Sequence, residues 1–341
     1  MRRDDKEKFD IFIKNHFWFN VLATQKIVRA SKINHSPKGE SKKIKEAEEV
    51  VKLNEYKIGD EYAKVFASRL KKTDQKILHL NLRNNKLTDA DAKAIIEDLT
   101  DCILTIDLSW NPKIELKAYE WLGTKIGSIF FQLKSLNLDN NNISKSGLET
   151  LWEGIMYNNW LSILSLNHNN FHNDHAAIIA DLITNSRLKM LFLAWNKIRD
   201  KGGVLIFNAL AANQTIQIFD ISFNSLNSSS VHNYGNISSD VKFEADLNRS
   251  CQSASALNRM FQENCTLIHM DLSHNNFSAK DWIEISKGLN QNKSVLGLHM
   301  TGNSKDTNAL GFINKKPSID PALAHIHTRI HESLETWTLS K

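Results

Sequence analysis

Apolar and polar residues recur in one fixed order through most of the chain. The segments "ILHLNLRNNKL" from Ile77, "LKSLNLDNNNI" from Leu133 and "LKMLFLAWNKI" from Leu188 share the frame apolar-x-x-apolar-x-apolar-x-x-Asn-x-apolar. The alternation inside the frame, as in Leu136-Asn137-Leu138, predicts a short strand with one face in a core. Eight frames place their asparagine at Asn85, Asn111, Asn141, Asn169, Asn196, Asn224, Asn275 and Asn303.

These asparagines follow one another at intervals of 26 to 30 residues, with a single interval of 51 between Asn224 and Asn275. A further frame starts at Leu53 and has Tyr56 where the asparagine is expected. A constant period over so many units indicates a repeat architecture.

The second half of each repeat predicts a helix. Residues 87–99, 143–155 and 198–210 carry apolar residues at helical spacing, with Asp or Ser near the first turn. A strand and a helix of about 28 residues cannot bury their apolar faces alone, so the repeats must stack on one another.

We expect the recurring asparagine to be structural. The chain turns inward after each strand, and a backbone group buried there without a partner would cost about 1–3 kcal/mol. An asparagine side chain supplies both a donor and an acceptor, which neither Leu nor Asp does. Stacked repeats would therefore align these side chains in a buried column.

Over roughly residues 51–303, the units resemble the leucine-rich repeats of the ribonuclease-inhibitor-like subclass. The resemblance implies an α/β fold: a leucine-rich repeat solenoid, or horseshoe, of about nine repeats with a concave parallel sheet and convex helices. The segments "IGDEYAKVFASRL" (58–70) and "LGLHMTGNSKDTNALGFI" (296–313) are also similar to leucine-rich repeat proteins of cilia and axonemes.

Two features of that subclass are missing. Its inhibitor members are rich in cysteine, whereas this chain has three cysteines, so ribonuclease inhibition is not implied. Its GTPase-activating members combine an arginine in an early loop with an acidic tail. Here Arg83 is the only arginine near the first full strand, and the C-terminal stretch is not acidic.

The pattern divides the chain into three parts. Residues 51–313 form the predicted solenoid, with an insertion at residues 227–249 that is either a surface excursion or a recognition loop. Residues 1–50 form a basic arm whose amphipathic helix either caps the first repeat or binds a partner. Residues 314–341 predict a second amphipathic helix, which either caps the last repeat or binds a helix of a partner.

Composition narrows the class of protein. The chain has 341 residues, of which 41% are hydrophobic and 24% charged, as in a soluble folded protein. Its net charge of +5 is concentrated in residues 1–50, and a nearly neutral remainder does not suggest nucleic-acid binding. We find no secretory signal and no apolar run that could span a membrane, so we expect a cytoplasmic protein. The resemblance to ciliary proteins makes the cilium and the cytoskeleton two further expected locations.

No catalytic motif is present. The chain lacks a phosphate-binding loop and a nucleophile elbow, and its cysteines have no metal-ligand spacing. We interpret the tail histidines His325, His327 and His331 as solvated polar residues, and we do not expect a metal site at His168, His172 and His175. The sequence therefore predicts a protein that is not an enzyme and needs no cofactor.

Partner binding is expected at the outward positions of the sheet, the third, fifth, seventh and eighth of each frame. Trp110, Trp195 and Phe223 share the eighth position, where they either form binding hot spots or pack against the rim. The predicted partner-binding residues are His79, Asn81, Arg83, Trp110, Asp139, His168, Phe192, Trp195, Asp220, Phe223, Asp271, His274 and His299.

The sequence thus favours a non-enzymatic scaffold that binds protein partners through the concave face and the terminal helices. Two alternatives stay open: a structural subunit of a ciliary or axonemal complex, and a GTPase-activating regulator of a small GTPase. The partner's identity does not follow from the sequence.

Overall fold

The structure, a computed structural model, describes residues 49–59, 61–72, 77–227 and 250–303. The predicted arm helix, nearly all of the insertion, the tail helix and the tail histidines lie outside these residues. The chain divides into two compact units: Met1–Phe171 with Asn185–Leu188, and His172–Thr184 with Lys189–Lys341.

The first unit contains a parallel sheet whose strands follow chain order. Neighbouring strands pair at the same frame position, for example Leu80 with Ile106 and Ile106 with Leu136. The strands are β1 (Glu49–Lys52), β2 (Ile77–Asn81), β3 (Thr105–Asp107), β4 (Ser135–Asn137) and β5 (Ile163–Ser165).

A helix follows each of the first four strands, and successive helices of the unit pack against each other. Ser144 begins one of them as a helix cap, because its Oγ accepts a hydrogen bond from the backbone N–H of Gly147 at 3.1 Å. The helices are α1 (Glu61–Lys72), α2 (Asp89–Glu97), α3 (Leu116–Ile126) and α4 (Lys145–Tyr157).

The second unit repeats this alternation. Strand β7 pairs directly with β8 although 51 residues separate Phe219 from its partner Met270, so the insertion does not interrupt the pairing. The elements are α5 (Ala176–Asn185, its last residue in the first unit), β6 (Met190–Phe192), α6 (Asp200–Ala212), β7 (Ile218–Asp220), α7 (Gln252–Glu263), β8 (His269–Asp271), α8 (Ala279–Gln291) and β9 (Gly297–His299).

In the ranges that the structure describes, nine parallel strands alternate with helices, which confirms the predicted α/β leucine-rich repeat solenoid. Alternate frame positions face the helices, so Leu80 and Leu82 are buried while the alternating residues His79 and Asn81 are half-buried. None of the helices among the described residues has the length and apolar character needed to cross a bilayer.

The first repeat explains why Tyr56 replaces an asparagine. Val51 pairs with Leu80, which sets Tyr56 in register with Asn85. Each asparagine binds the turn before its own, and the described residues contain no turn before that of Tyr56.

The asparagine of each turn connects it to the preceding one. In the first unit, Asn141 is fully buried. Its Oδ1 accepts a hydrogen bond from the backbone N–H of Asn111 at 2.6 Å, and its Nδ2 donates to the carbonyl of Leu108 at 3.0 Å. Asn169 in turn accepts bonds from the backbone N–H groups of Asn141 and Ile143. Each of these side chains thus satisfies backbone polar groups of the turn before its own.

The same arrangement recurs at Asn85, Asn111, Asn224 and Asn303. Asn275 differs, because its buried Oδ1 has no hydrogen-bond partner among the described residues. The column members Asn85, Asn111, Asn141 and Asn169 of the first unit, and Asn196, Asn224 and Asn275 of the second, are buried, and Asn303 is half-buried.

A second row of buried asparagines lies where the helices end, and sequence reasoning missed it. Asn158 follows α4; its Nδ2 donates to the carbonyl of Ile126 at 2.7 Å and its Oδ1 accepts from the N–H of Leu161 at 2.7 Å. Each member therefore connects a helix end to the preceding repeat and to the next strand. The row also includes Asn213, Asn264 and Asn292.

We expect Asn141→Ala to lower the free energy of unfolding by about 2–5 kcal/mol, because it leaves a buried N–H and a buried carbonyl of the preceding turn without partners. Urea unfolding followed by circular dichroism measures the change. Asn159→Ala is the matched control, since Asn159 is exposed and should change stability by less than about 0.5 kcal/mol. Equal effects of the two substitutions would contradict a structural role for the column.

Candidate partner-binding surface

The predicted binding residues differ widely in exposure. Trp110, His168, Trp195 and His274 are exposed. The half-buried residues are His79, Asn81, Arg83, Asp220, Phe223, Asp271 and His299. Only Asp139 and Phe192 among the predicted residues are buried.

Asp139 and Phe192 are therefore not available to a partner, contrary to the expectation from their frame positions. Asp139 accepts hydrogen bonds from Ser165 Oγ at 2.6 Å and from the backbone N–H of Asn167 at 2.8 Å. Its carboxylate connects β5 to the preceding turn. Phe192 is 5% exposed, so its ring adds to the packing and not to the surface.

The side chain at the fifth frame position accepts a hydrogen bond from the turn that follows its own strand. Asn81 Oδ1 accepts the backbone N–H of Arg83 at 3.0 Å, and Asp220 and Asp271 accept the N–H two residues after themselves in the same way. These three residues, predicted to bind a partner, first of all hold the loop that carries the seventh and eighth positions.

Asp107 occupies the same position and makes the same bond to the N–H of Ser109 at 2.9 Å. Burial raises the pKa of its carboxyl above the ordinary value, and nearby Asp139 raises it further. The Ser109 N–H and the Arg83 guanidinium oppose the shift without cancelling it.

The eighth position has a left-handed backbone conformation. The φ angles of Trp110, Trp195 and Phe223 are +60°, +57° and +51°. This region disfavours side chains other than Gly, Asn and Asp by about 1–2 kcal/mol per residue. The hydrogen bonds of the turn hold the backbone there, and the aromatic side chains project from a fixed geometry.

In the second unit the eighth-position rings form a stack. Trp195 and Phe223 lie nearly parallel with centroids 3.9 Å apart, and Phe223 and His274 follow at 4.1 Å. The next eighth position is Gly302, where an added Cβ would come within 2.2 Å of the His274 ring. We call Trp195, Phe223 and His274 the ring stack; Trp195 is 50% exposed.

The first unit has a smaller aromatic contact. The Arg83 guanidinium lies 5.2 Å from the centroid of the Trp110 ring, which is 45% exposed. This is the geometry of a cation–π interaction. Arg83 and Trp110 therefore present a charged and an aromatic surface side by side.

Several histidines contact neighbouring side chains. His79 Nδ1 lies 2.8 Å from Thr105 Oγ1, the His269 and His299 rings meet edge to face at 4.9 Å, and His175 Nδ1 lies 3.0 Å from an Asp174 carboxylate oxygen. In the part of the chain that the structure describes, no three His, Cys, Asp or Glu side chains come together in a group that could hold a metal ion.

Comparisons with known proteins agree with the repeat architecture. A family model described as "Leucine Rich repeat" matches residues 73–95 and 132–151. This match agrees with the leucine-rich repeat solenoid that the alternating strands and helices form. Among curated proteins, none matches this chain.

Solved structures are similar only distantly. The tropomodulin C-terminal domain of Caenorhabditis elegans is 18% identical, over 51% of this chain and 92% of that chain, with a TM-score of 0.38. "Leiomodin-1 Actin-Binding Site 2" is 16% identical, over 52% and 90%, with a TM-score of 0.37. The yeast Rad7 and Elc1 complex is 10% identical, over 75% and 86%, with a TM-score of 0.32. These scores are too low to support an argument about this chain.

We expect Asp107→Asn to stabilise the protein at pH 7.5. Folding raises the pKa of this carboxyl, so the folded state is penalised for its charge above that pKa, and the penalty disappears as the pH falls to the ordinary value. The amide keeps the bond to Ser109, as Asn137 keeps the corresponding bond in the next repeat. Urea unfolding at pH 7.5 and at pH 4 should show a gain that shrinks on acidification. A loss of stability at pH 7.5 would contradict this.

We expect Phe223→Asn to change the free energy of unfolding by less than about 1 kcal/mol, because relief of left-handed strain offsets the lost stacking. In contrast, Phe219→Ala should cost about 3–5 kcal/mol, because Phe219 is fully buried. Thermal and urea unfolding measure both. A loss above about 2 kcal/mol for Phe223→Asn would assign the ring to packing instead of to the surface.

Proposed function

We propose that this leucine-rich repeat protein is a non-enzymatic scaffold that binds a protein partner through the sheet face opposite its helices. The single observation that carries the proposal is the ring stack. Exposed aromatic rings, mutually stacked and fixed on strained turns, resemble the rigid anchors that dominate protein interfaces. Backbone strain of this kind concentrates at functional sites.

Rigidity favours binding here. A Trp or Tyr anchor that is already ordered loses little conformational entropy when a partner covers it. Trp195 stacks on Phe223, and Phe223 on His274, so the rings order one another before any partner arrives. The half-buried Asp220 and Asp271 lie on the adjacent strands and add a polar surround.

The contact of Arg83 with Trp110 is a second anchor of the same kind. Arginine and tryptophan are two of the residues most enriched in binding hot spots. The guanidinium retains planar donors for a carboxylate or carbonyl of the partner while its face covers the indole ring.

The finer predictions stay separate from this proposal. A GTPase-activating role would need an arginine that reaches a bound nucleotide, and Arg83 lies over Trp110. Binding through the terminal helices concerns residues outside the described ranges. The cytoplasmic, ciliary and cytoskeletal locations remain predictions from the sequence.

Affinity capture from the native cell, followed by calorimetry with the captured partner, tests the proposal. We expect the double variants Trp195→Ala/His274→Ala and Arg83→Ala/Trp110→Ala each to weaken binding at least about tenfold, because they remove interface anchors. Circular dichroism checks that each variant is folded.

The matched control is Leu205→Ala/Ile283→Ala, which removes exposed apolar side chains from two helices and should leave affinity unchanged. Equal affinity of the wild type, both aromatic double variants and the control would exclude the sheet face as the binding surface.

A further inference from the structure

The first unit has a groove on its helical side, separate from the sheet face. The groove lies between α3 and α4 and has a volume of about 330 Å³. Its lining consists of Glu120, Gly123, Thr124, Gly127, Thr150, Glu153, Gly154 and Tyr157.

Glycines make the floor of the groove. A Cβ added to Gly154 would lie 2.0 Å from the carbonyl oxygen of Gly123, so the two helix backbones touch and neither glycine can be replaced without moving a helix. The lining threonines need no partner in the groove, because Thr124 Oγ1 donates to the carbonyl of Glu120 and Thr150 Oγ1 to that of Gly147. No side chain of Gly123 or Gly154 fills the groove, and the hydroxyl groups of Thr124 and Thr150 already have hydrogen-bond partners.

Exposed apolar side chains are concentrated at the C-terminal ends of α3 and α4, where the groove residues Gly127 and Tyr157 lie. The Asn158 side chain fixes these ends, because it donates to the carbonyls of Ile126 and Phe131 and accepts the N–H of Trp160. The chain beyond α3 and the chain beyond α4 thus lie side by side. The cluster consists of Ile129, Phe130, Met156, Tyr157 and Trp160, each 42–73% exposed.

Five exposed apolar side chains on two adjacent chain segments are typical of a contact surface. Tryptophan and tyrosine are typical anchors of such surfaces. Because Tyr157 belongs both to the cluster and to the groove lining, the two form one continuous surface.

The charge of the groove lining distinguishes between two occupants, a basic helix and a second copy of this chain. Its lining contains two carboxylates, Glu120 and Glu153, and no cation. Among the described residues neither forms an ion pair, whereas Lys125 near the groove is paired with Asp101 and lies over the Phe131 ring. A second copy of this chain would bring like charges together, so a basic occupant is favoured over a symmetric dimer.

We propose that this surface binds a basic amphipathic helix of a partner protein. The apolar stripe of that helix would lie along the glycine floor and the cluster, and its lysines or arginines would reach Glu120 and Glu153. Helices α3 and α4, of 11 and 13 residues, are about 16–20 Å long, which matches anchors at positions i, i+4 and i+7 of a docked helix. The proposal does not depend on the function proposed for the sheet face.

A designed peptide tests it with the full-length protein. The probe is a fluorescent 18-residue amphipathic helix with leucines on one face and lysines on the other, and its counterpart carries glutamates in place of the lysines. We expect the basic probe to bind in the micromolar range and the acidic probe at least about tenfold more weakly.

Two variants locate the site. Glu120→Lys/Glu153→Lys should weaken the basic probe at least about tenfold, and Tyr157→Ala at least about fivefold, in fluorescence anisotropy. The control Glu97→Lys/Glu263→Lys changes the net charge equally at exposed helix positions outside the groove and should leave binding unchanged.

Three results would overturn the proposal: no binding of the basic probe, equal weakening by the control pair, or wild-type affinity in both groove variants. Sedimentation provides a fourth. A dimer that Tyr157→Ala dissociates would make a second copy the occupant. The sheet-face variants should bind the basic probe as the wild type does. Each proposal can therefore fail while the other stands, because partner capture tests the sheet face and probe binding tests the groove.

Discussion

The hydrogen bond between a buried asparagine amide and the backbone of the preceding turn is the interaction on which the structure depends. Each repeat turns its chain toward the interior once, and the turn leaves N–H and C=O groups that no strand can pair. Asn141 serves the N–H of Asn111 and the carbonyl of Leu108 in one side chain, which no apolar residue could do. The asparagines in the row that includes Asn158 likewise pair buried backbone N–H and C=O groups where the helices end.

These hydrogen bonds also determine what the surface presents. The residue before each column asparagine is held at positive φ, from +51° at Phe223 to +72° at Gly302. In the second unit, the rings that three successive repeats carry at this position stack on one another. The ring stack is thus a consequence of the turn, and its rigidity needs no support from the core. On the helical side, close backbone contact at Gly123 and Gly154 produces a groove instead of a ridge.

Much of this could be predicted from the sequence, because strand alternation, helix spacing and the asparagine have one short period. The frame even placed Tyr56 in register with Asn85. The row headed by Asn158 was missed, although asparagine followed by an apolar residue three positions later recurs before several strands, because such a short pattern predicts only a turn. The burial of Asp139 and Phe192 could not be predicted, because it depends on neighbouring repeats. The left-handed angles and the glycine contact likewise require coordinates.

Native-state hydrogen exchange of the backbone amides that donate to column side chains tests the central claim most directly. The N–H groups of Asn85, Asn111 and Asn141 donate to asparagine oxygens of the following repeat. If those bonds hold the turns, these amides exchange as slowly as the strand-end amide of Leu108, which donates to the Asn137 carbonyl. Exchange at the rate of an unstructured peptide, with Leu108 still protected, would show that the sheet persists without the column and would contradict the account.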